Sequence, residues 1–144
     1  MTVAVLGLGS IGFRHARNLI ELGEQPLGYD PVSENVQRLV AQGGIAAASR
    51  EEALATAKIA IIASPTNCHL DDLRVAIDAG CHVFLEKPIA HKVDGLKDIF
   101  ESAARTELVV FAGLSLRYHP CVEMAKALLG ENRLGQILWA RLLN

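Results

Sequence analysis

The sequence predicts an α/β protein built on a doubly wound parallel sheet. Short apolar runs alternate along the chain with longer amphipathic stretches, which is the pattern of strands joined by helical crossovers. The run Ile59–Ala63 is apolar almost throughout, as expected for a strand that is buried on both faces. Apolar residues make up 51% and charged residues 21% of the 144-residue chain, which is enough for a core of ordinary size.

The first half of the chain contains the predicted strands Thr2–Leu6, Leu27–Tyr29, Ile45–Ala47 and Ile59–Ala63. The helices between them are predicted at Ile11–Leu22, from Ser33 to about Ala41, and at Glu51–Thr56. Gly23 follows the first helix as a C-cap signal. Ser33 and Ser49 have the small polar side chains that cap helix N-termini, so each is expected to begin one of the other two helices.

The second half continues the alternation of helix and strand. Thr66 or Asn67 is expected to cap a helix that runs through Ala79. The elements predicted after it are Cys81–Leu85 as a strand, Val93–Arg105 as a helix, Leu108–Ala112 as a strand, and a helix from Pro120 to Gly130. Pro120 suits the first turn of a helix because its missing N–H would have no partner there. Residues 136–143 alternate weakly and are interpreted as the first strand of a second domain.

Residues 1–118 are predicted to form one domain, because six strands are complete by Ala112. Residues 119–144 are interpreted as the start of a second, truncated domain. The formal net charge of −2, with scattered signs, indicates neither nucleic acid nor a membrane surface as a partner. The amino terminus enters a strand without signal-peptide features, and no apolar run approaches the ~20 residues of a membrane span.

The cysteines Cys68, Cys81 and Cys121 are odd in number and form no C-x-x-C pair. This usage favours a reduced, cytoplasmic setting. Neither Cys68-His69 nor Cys81-His82 has the spacing of metal ligands. The sequence therefore predicts no metal site.

The first strand is followed by a glycine motif, Gly7-Leu8-Gly9-Ser10-Ile11-Gly12, and Asp30 follows the motif at close to the expected ~20-residue spacing. Gly7 allows a tight turn, Gly9 lets a pyrophosphate approach the backbone, and Gly12 lets the helix pack closely on the strand. The carboxylate of Asp30 suits the hydroxyls of an adenosine ribose and would repel a 2′-phosphate. We therefore predict a Rossmann domain that binds NAD rather than NADP. The alternative is another doubly wound domain, flavodoxin-like for example, whose first turn is merely tight.

Three further polar segments follow strands, at the edge of the sheet where doubly wound proteins bind ligands. They are Ala63-Ser64-Pro65-Thr66-Asn67-Cys68-His69, Leu85-Glu86-Lys87-Pro88 and Leu116-Arg117-Tyr118-His119-Pro120. Together with the glycine motif, this ordered set resembles the glucose-fructose oxidoreductase, inositol dehydrogenase and rhizopine-catabolism (Gfo/Idh/MocA) oxidoreductases. The resemblance runs from Met1 to about Pro120.

The resemblance implies a set of site residues. The implied cofactor-binding residues are Gly7, Gly9, Ser10, Ile11, Gly12, Asp30, Ser64, Pro65, Thr66, Asn67, His69, Glu86, Lys87 and Arg117. The implied substrate contacts are Lys87, Arg117 and Tyr118. The implied activity is that of an NAD(P)-dependent dehydrogenase, which transfers a hydride between nicotinamide and a carbinol of a sugar, nucleotide sugar or polyol.

Lys87 is the predicted catalytic residue. Oxidation of a secondary alcohol removes a proton from oxygen, and a cation beside that oxygen stabilises the developing alkoxide charge. The alternative is a solvated lysine before a turn-forming proline. His69 is equally compatible with a cofactor contact and with a structural hydrogen bond, and Arg117 has the alternative of a surface arginine. The remaining histidines, His15, His82 and His91, are assigned to structure or solvent.

The chain departs from the family in length. Members of the family are normally much longer, and a second α/β domain carries the histidine that handles the alcohol proton. We therefore expect this chain to be inactive by itself, as a truncation, a fragment or a stand-alone module. The rival readings are a non-catalytic NAD(H)-binding or redox-sensing module and a doubly wound domain for another ligand, such as coenzyme A or a mononucleotide. Association of copies of the chain is left open, because the last predicted strand would present an unpaired edge.

Overall fold

The computed structural model describes residues 2–141. The strands are β1 (Val3–Leu6), β2 (Leu27–Tyr29), β3 (Ile45–Ala46), β4 (Ile59–Ile62), β5 (His82–Leu85) and β6 (Val110–Ala112). The helices are α1 (Ser10–Glu21), α2 (Ser33–Val40), α3 (Arg50–Leu54), α4 (His69–Asp78), α5 (Leu96–Arg105) and α6 (Pro120–Gly130). A short 3₁₀ helix at Ser115–Tyr118 precedes α6. Among the described residues, no helix has the length and apolar character needed to cross a membrane.

The strands form one six-stranded sheet in the order β3-β2-β1-β4-β5-β6. Every pairing is parallel. The predicted doubly wound parallel sheet is therefore confirmed. The strand order reverses between β1 and β4, and in this architecture the reversal opens a crevice at the carboxyl ends of the strands. Leu6 of β1 lies beside Tyr29 of β2 and Ile62 of β4, so the loops that follow these strands emerge together.

Helices pack on both sides of the sheet, and the central strands β1 and β4 are therefore buried on both faces. Ala4 and Leu6 point into a core formed with α3, α4 and α5. Val3 and Val5 point the other way, into a smaller core with α1 and α2. This alternation of side chains explains why the central strands β1 and β4 are apolar at every position.

The helix starts differ from the sequence predictions at two caps. The hydroxyl of Ser49 caps α3 as predicted, because it accepts a hydrogen bond from the Glu52 N–H at 3.1 Å. The prediction for α4 was wrong: its N-cap is Cys68, and no side chain caps it. The backbone explains this, since the carbonyls of Pro65 and Thr66 already accept the N–H groups of Cys68 and His69. Ser33 is likewise the first residue of α2 rather than its cap.

The described residues fall into two compact units, residues 2–113 and residues 114–141. The first unit contains the whole sheet. The second contains α6, which begins at Pro120 as predicted, and the ring of His119 accepts a hydrogen bond from the Cys121 N–H at 3.3 Å. The strand predicted at residues 136–143 was wrong for residues 136–141, which form no strand. A strand needs a neighbour for its backbone hydrogen bonds. Residues 142 and 143 lie outside the described residues, and the domain boundary after residue 118 stays a prediction.

Candidate cofactor site

A cavity of about 650 Å³ lies at the carboxyl edge of the sheet, where the strand order reverses. It is bounded by the loops that follow β1, β2 and β4, and by the first residues of α3 and α4. The predicted site residues that line it are Gly7, Gly9, Ser10, Ile11, Asp30, Ser64 and Pro65. The structure therefore brings together segments that are far apart in the sequence, as the parallel topology requires.

The glycines of the first turn meet three different surroundings. Gly7 has a φ of +84°, and a Cβ there would lie 2.5 Å from the Cα and the backbone nitrogen of Ser64. A Cβ on Gly12 would overlap the carbonyl oxygen of Gly7. A Cβ on Gly9 would meet no atom within 4 Å. Gly7 and Gly12 are thus required by packing, whereas the space at Gly9 opens to the cavity.

The amino terminus of α1 faces this space without a side-chain cap. Its N-cap is Gly9, which has no side chain to accept a hydrogen bond from the first turn. The first N–H groups of a helix have no intrahelical partner, and they carry a partial positive charge. Ser10 and Ile11, the first two residues of α1, both line the cavity. This arrangement suits an anionic ligand such as a pyrophosphate.

Asp30 follows β2 and holds two loops with its carboxylate. Oδ2 accepts a hydrogen bond from the Leu8 N–H at 2.6 Å, and Oδ1 accepts one from the Val32 N–H at 2.8 Å. Each carboxylate oxygen can accept more than one hydrogen bond. Asp30 therefore ties the glycine turn to the loop after β2 and keeps capacity for the hydroxyls of a ligand.

A polar network around the buried Asp72 forms another wall of the cavity, and the sequence predictions did not include its members Arg50 and Asp72. The hydroxyl of Ser64 donates to Oδ2 of Asp72 at 2.6 Å, and Nη1 of Arg50 donates to Oδ1 at 3.1 Å. Asp72 is 6% exposed. The pKa of Arg50 is raised by its hydrogen bonds to Glu51 and then to Asp72. Arg50, Asp72 and Ser64 all line the cavity, so a fixed guanidinium borders the ligand space.

His69 does not line the cavity. It is 1% exposed. Nδ1 is 2.9 Å from the carbonyl oxygen of Pro88, and Nε2 is 2.8 Å from the carbonyl oxygen of Ser64. Carbonyl oxygens only accept, so the ring donates to both only when both nitrogens carry protons, and a neutral ring donates to one. His69 thus connects the loops after β4 and β5. Its predicted contact with the cofactor stays a prediction.

A sequence signal for Asp72 and His69 does exist. The buried residues of α4 are His69, Asp72, Leu73, Ala76 and Ile77. Their spacing is that of a single helical face. Two polar residues on an otherwise apolar stripe indicate buried hydrogen bonds, since buried polar side chains are almost always partnered.

The loop after β5 presents Glu86 and Lys87. Nε2 of His15 donates to Oε1 of Glu86 at 2.8 Å, and the Lys87 N–H donates to Oε2 at 3.2 Å. His15 is therefore not merely solvated, because it reaches from α1 to hold the carboxylate at the end of β5. The Lys87–Pro88 peptide is cis, and Lys87 itself is exposed.

The remaining predicted contacts do not line this cavity. Thr66 and Asn67 form the turn before α4. Arg117 and Tyr118 belong to the second unit, where they border a separate cavity of about 460 Å³ together with Glu123 and Lys126. The roles of these residues toward cofactor and substrate stay predictions. Within residues 2–141, no three His, Cys, Asp or Glu side chains come together as a metal ligand set would.

Comparison with known proteins gives one family match. Residues 1–114 match the Gfo/Idh/MocA model of an oxidoreductase family, described as an NAD-binding Rossmann fold. Glucose-6-phosphate 3-dehydrogenase of Bacillus subtilis (strain 168) is 29% identical over 139 residues, which are 94% of this chain and 40% of that enzyme. The scyllo-inositol 2-dehydrogenase (NAD(+)) of the same organism is 28% identical over 143 residues, which are 94% of this chain and 42% of that enzyme.

Solved structures agree on the fold. The scyllo-inositol dehydrogenase of Lactobacillus casei, crystallised with NAD(H) and scyllo-inositol, has a TM-score of 0.85 at 23% sequence identity. The likeness covers 95% of this chain and 43% of that protein. The chain thus spans less than half of the length of the relatives that it matches.

Proposed function

The chain belongs to the Gfo/Idh/MocA oxidoreductase family, whose NAD-binding Rossmann fold it matches, and from this membership we propose that it is the cofactor-binding part of a dehydrogenase. The proposed reaction transfers a hydride between nicotinamide and a secondary carbinol carbon of a sugar, nucleotide sugar or polyol. The relatives named above act on glucose 6-phosphate and scyllo-inositol, which supports this substrate class. Because the chain covers only part of those enzymes, the substrate belongs to the proposal.

The residues of the cavity fit NAD. The uncapped start of α1 and the open space at Gly9 suit a pyrophosphate, and Asp30 has free acceptor capacity beside them for ribose hydroxyls. This combination is the observation that carries the proposal. When bound, NAD supplies the acceptor or donor of the hydride. We propose that the loops after β4 and β5 extend the binding surface toward the nicotinamide. The hydrogen bond from His15 holds the carboxylate of Glu86 in place in the second of these loops.

Lys87 is the proposed catalytic residue. It follows β5 at the carboxyl edge, and its side chain is exposed. An ammonium group beside the reacting oxygen would stabilise the negative charge that develops as the alcohol loses its proton. The same charge would favour proton loss to a neighbouring base. Arg117 and Tyr118 are proposed substrate contacts, and this proposal rests on the family resemblance.

Two measurements test the proposal. Calorimetric titration of this chain with NAD is expected to show one site. In the protein as its gene encodes it, Lys87→Ala is expected to lower kcat by about 100-fold or more while the affinity for NAD changes little, because its proposed interaction forms in the transition state. Lys97→Ala is the matched control, since Lys97 is exposed on α5 and pairs with Glu101 at 3.6 Å.

The outcomes separate the proposed enzyme from its rivals. If Lys87→Ala weakens NAD binding and leaves kcat at saturation unchanged, Lys87 is a cofactor contact and its catalytic role is refuted. If NAD binds but the encoded protein oxidises no sugar or polyol, the non-catalytic NAD(H) module is the better description. If NAD does not bind at all, the assignment of the cavity fails.

A further inference from the structure

We propose that Arg38 is a positioning residue that orients the phosphate-binding turn without contacting the cofactor. The proposal concerns the segment Gly7-Leu8-Gly9, which joins β1 to α1. Arg38 lies on α2 and reaches this segment from a position 30 residues away in sequence. The inference rests on the NAD site proposed above and adds a residue that neither the glycine motif nor the family resemblance identifies.

Arg38 makes a short, charge-assisted contact with the turn. Its Nη2 donates to the carbonyl oxygen of Leu8 at 2.7 Å. The guanidinium also lies over the ring of Phe13, with its central carbon 4.0 Å from the ring centroid. The ring supports the flat face of the guanidinium, while the edge forms the hydrogen bond. Two independent contacts thus hold the donor in one place.

Asp30 holds the turn at a second point. The carboxylate of Asp30 accepts the Leu8 N–H at 2.6 Å. The N–H of Leu8 belongs to the Gly7–Leu8 peptide, and the carbonyl of Leu8 belongs to the Leu8–Gly9 peptide. Two consecutive peptide planes are therefore fixed, one by an anion and one by a cation.

Fixing the second plane determines where the Gly9 N–H points. In a trans peptide the C=O and the N–H of one plane point in opposite directions. Since the Leu8 carbonyl points to Arg38, the Gly9 N–H points away from Arg38. Gly9 and Ser10 line the cavity, whereas Leu8 and Arg38 do not. The N–H is thus directed to the ligand side of the turn.

This orientation matters because phosphate binding at a helix start depends on backbone N–H groups that are already in place. Without Arg38, the Leu8–Gly9 peptide could rotate, and ordering it again on binding would reduce the affinity. Arg38 would therefore assist any ligand that carries a phosphate in this cavity. It would not assist a ligand that occupies only the adenosine end.

The test compares ADP with adenosine on this chain, by calorimetry and by NMR titration. Arg38→Met keeps an unbranched stem over Phe13 and removes the donor. It is expected to raise the Kd for ADP by about tenfold and to leave the Kd for adenosine within about twofold, the scale of one lost charge-assisted hydrogen bond. Arg38→Lys, which keeps a donor and the charge, should recover part of the loss. Arg17→Met is the matched control, because Arg17 carries the same charge on α1 and pairs with Glu21 at 3.4 Å.

A spectroscopic readout separates positioning from mere structure. In the free chain, Arg38→Met is expected to move the Gly9 amide resonance, and in the wild type ADP is expected to shift that resonance downfield. An equal loss of ADP affinity in Arg17→Met would mean that only the charge acts, and it would overturn the proposal. So would an equal loss for adenosine, or a Gly9 resonance that neither Arg38→Met nor ADP moves. If the wild type binds neither ADP nor NAD, the proposed function fails. The Gly9 amide resonance of the free Arg38→Met variant still shows whether Arg38 orients the Leu8–Gly9 peptide. If Arg38→Met does not fold, the ADP shift in the wild type and the Arg38→Lys titration decide.

Discussion

Gly9 and Gly12 belong to the same glycine motif, yet the structure predicts that alanine affects different properties at the two positions: ligand binding at Gly9 and folding stability at Gly12. Gly9 has a φ of −62°, which any residue can adopt, and a Cβ there meets no atom within 4 Å. A Cβ at Gly12 would overlap the Gly7 carbonyl oxygen, a backbone atom held between β1 and α1. Gly9→Ala therefore tests the ligand space, and Gly12→Ala tests the packing.

The expected magnitudes follow from these surroundings. For Gly9→Ala, the reduced entropy of the unfolded chain stabilises by about 0.4–1 kcal/mol. Alanine is a poorer N-cap than glycine, which costs a comparable amount, on the order of 0.5–1 kcal/mol. The free energy of unfolding should therefore change by less than about 1 kcal/mol. Gly12→Ala should lose about 3 kcal/mol or more, because the overlapping oxygen cannot move without displacing the turn.

The assay is urea denaturation followed by circular dichroism, together with calorimetric titration of NAD. Gly9→Ala should unfold at nearly the wild-type urea concentration. It should bind NAD at least tenfold more weakly, about 1.4 kcal/mol, because the methyl group would occupy the space proposed for the pyrophosphate. Gly9→Val, with a larger side chain, should abolish binding. Gly12→Ala should unfold at clearly lower urea. Wild-type affinity for NAD in a folded Gly9→Val variant would show that this turn is not the phosphate site, and wild-type stability of Gly12→Ala would refute the packing argument.

Three further predictions use other parts of the site. Asp30→Ser removes the acceptor for the Leu8 N–H, so the free energy of unfolding should fall by about 1–3 kcal/mol. In paired titrations, the preference for NAD over NADP should narrow by about 1–2 kcal/mol. Tighter binding of NADP than of NAD to the wild type would contradict the role of the carboxylate. In a double-mutant cycle, the effects of His15→Leu and Glu86→Gln on the free energy of unfolding should be coupled by about 0.5–1 kcal/mol. Additive effects would show that the 2.8 Å contact between His15 and Glu86 contributes nothing to stability. Cys81 is fully buried, and burial raises the pKa of its thiol, so a smaller fraction of it is thiolate at mildly alkaline pH. Thiol reagents should therefore label the exposed Cys121 first. Equally fast labelling of Cys81 in the folded chain would contradict its burial.

Much of the fold could be predicted because its signals are local. Apolar runs such as Ile59–Ala63, alternating with amphipathic helices, are typical of strands in a helix-covered parallel sheet. The glycines follow a strand and open a helix, so their physical roles can be assigned from neighbours in the sequence. Asp30 could be identified in the same way, because the second strand ends directly before it. Caps were less predictable, since at Thr66 and Asn67 the backbone carbonyls of the preceding turn took the place of a side-chain cap.

The sequence by itself thus determined the order of the elements, the edge of the sheet where the cavity lies and the position of the glycine turn. Only the tertiary structure decided which polar side chains meet around the carboxyl edge of the sheet. Arg50 meets Asp72 across 22 residues, Arg38 meets Leu8 across 30, and His15 meets Glu86 across 71. Such pairs depend on how distant segments of the chain come together in the fold. Hydrophobic period shows which face of an element is buried, but it does not show which residue of another element that face meets.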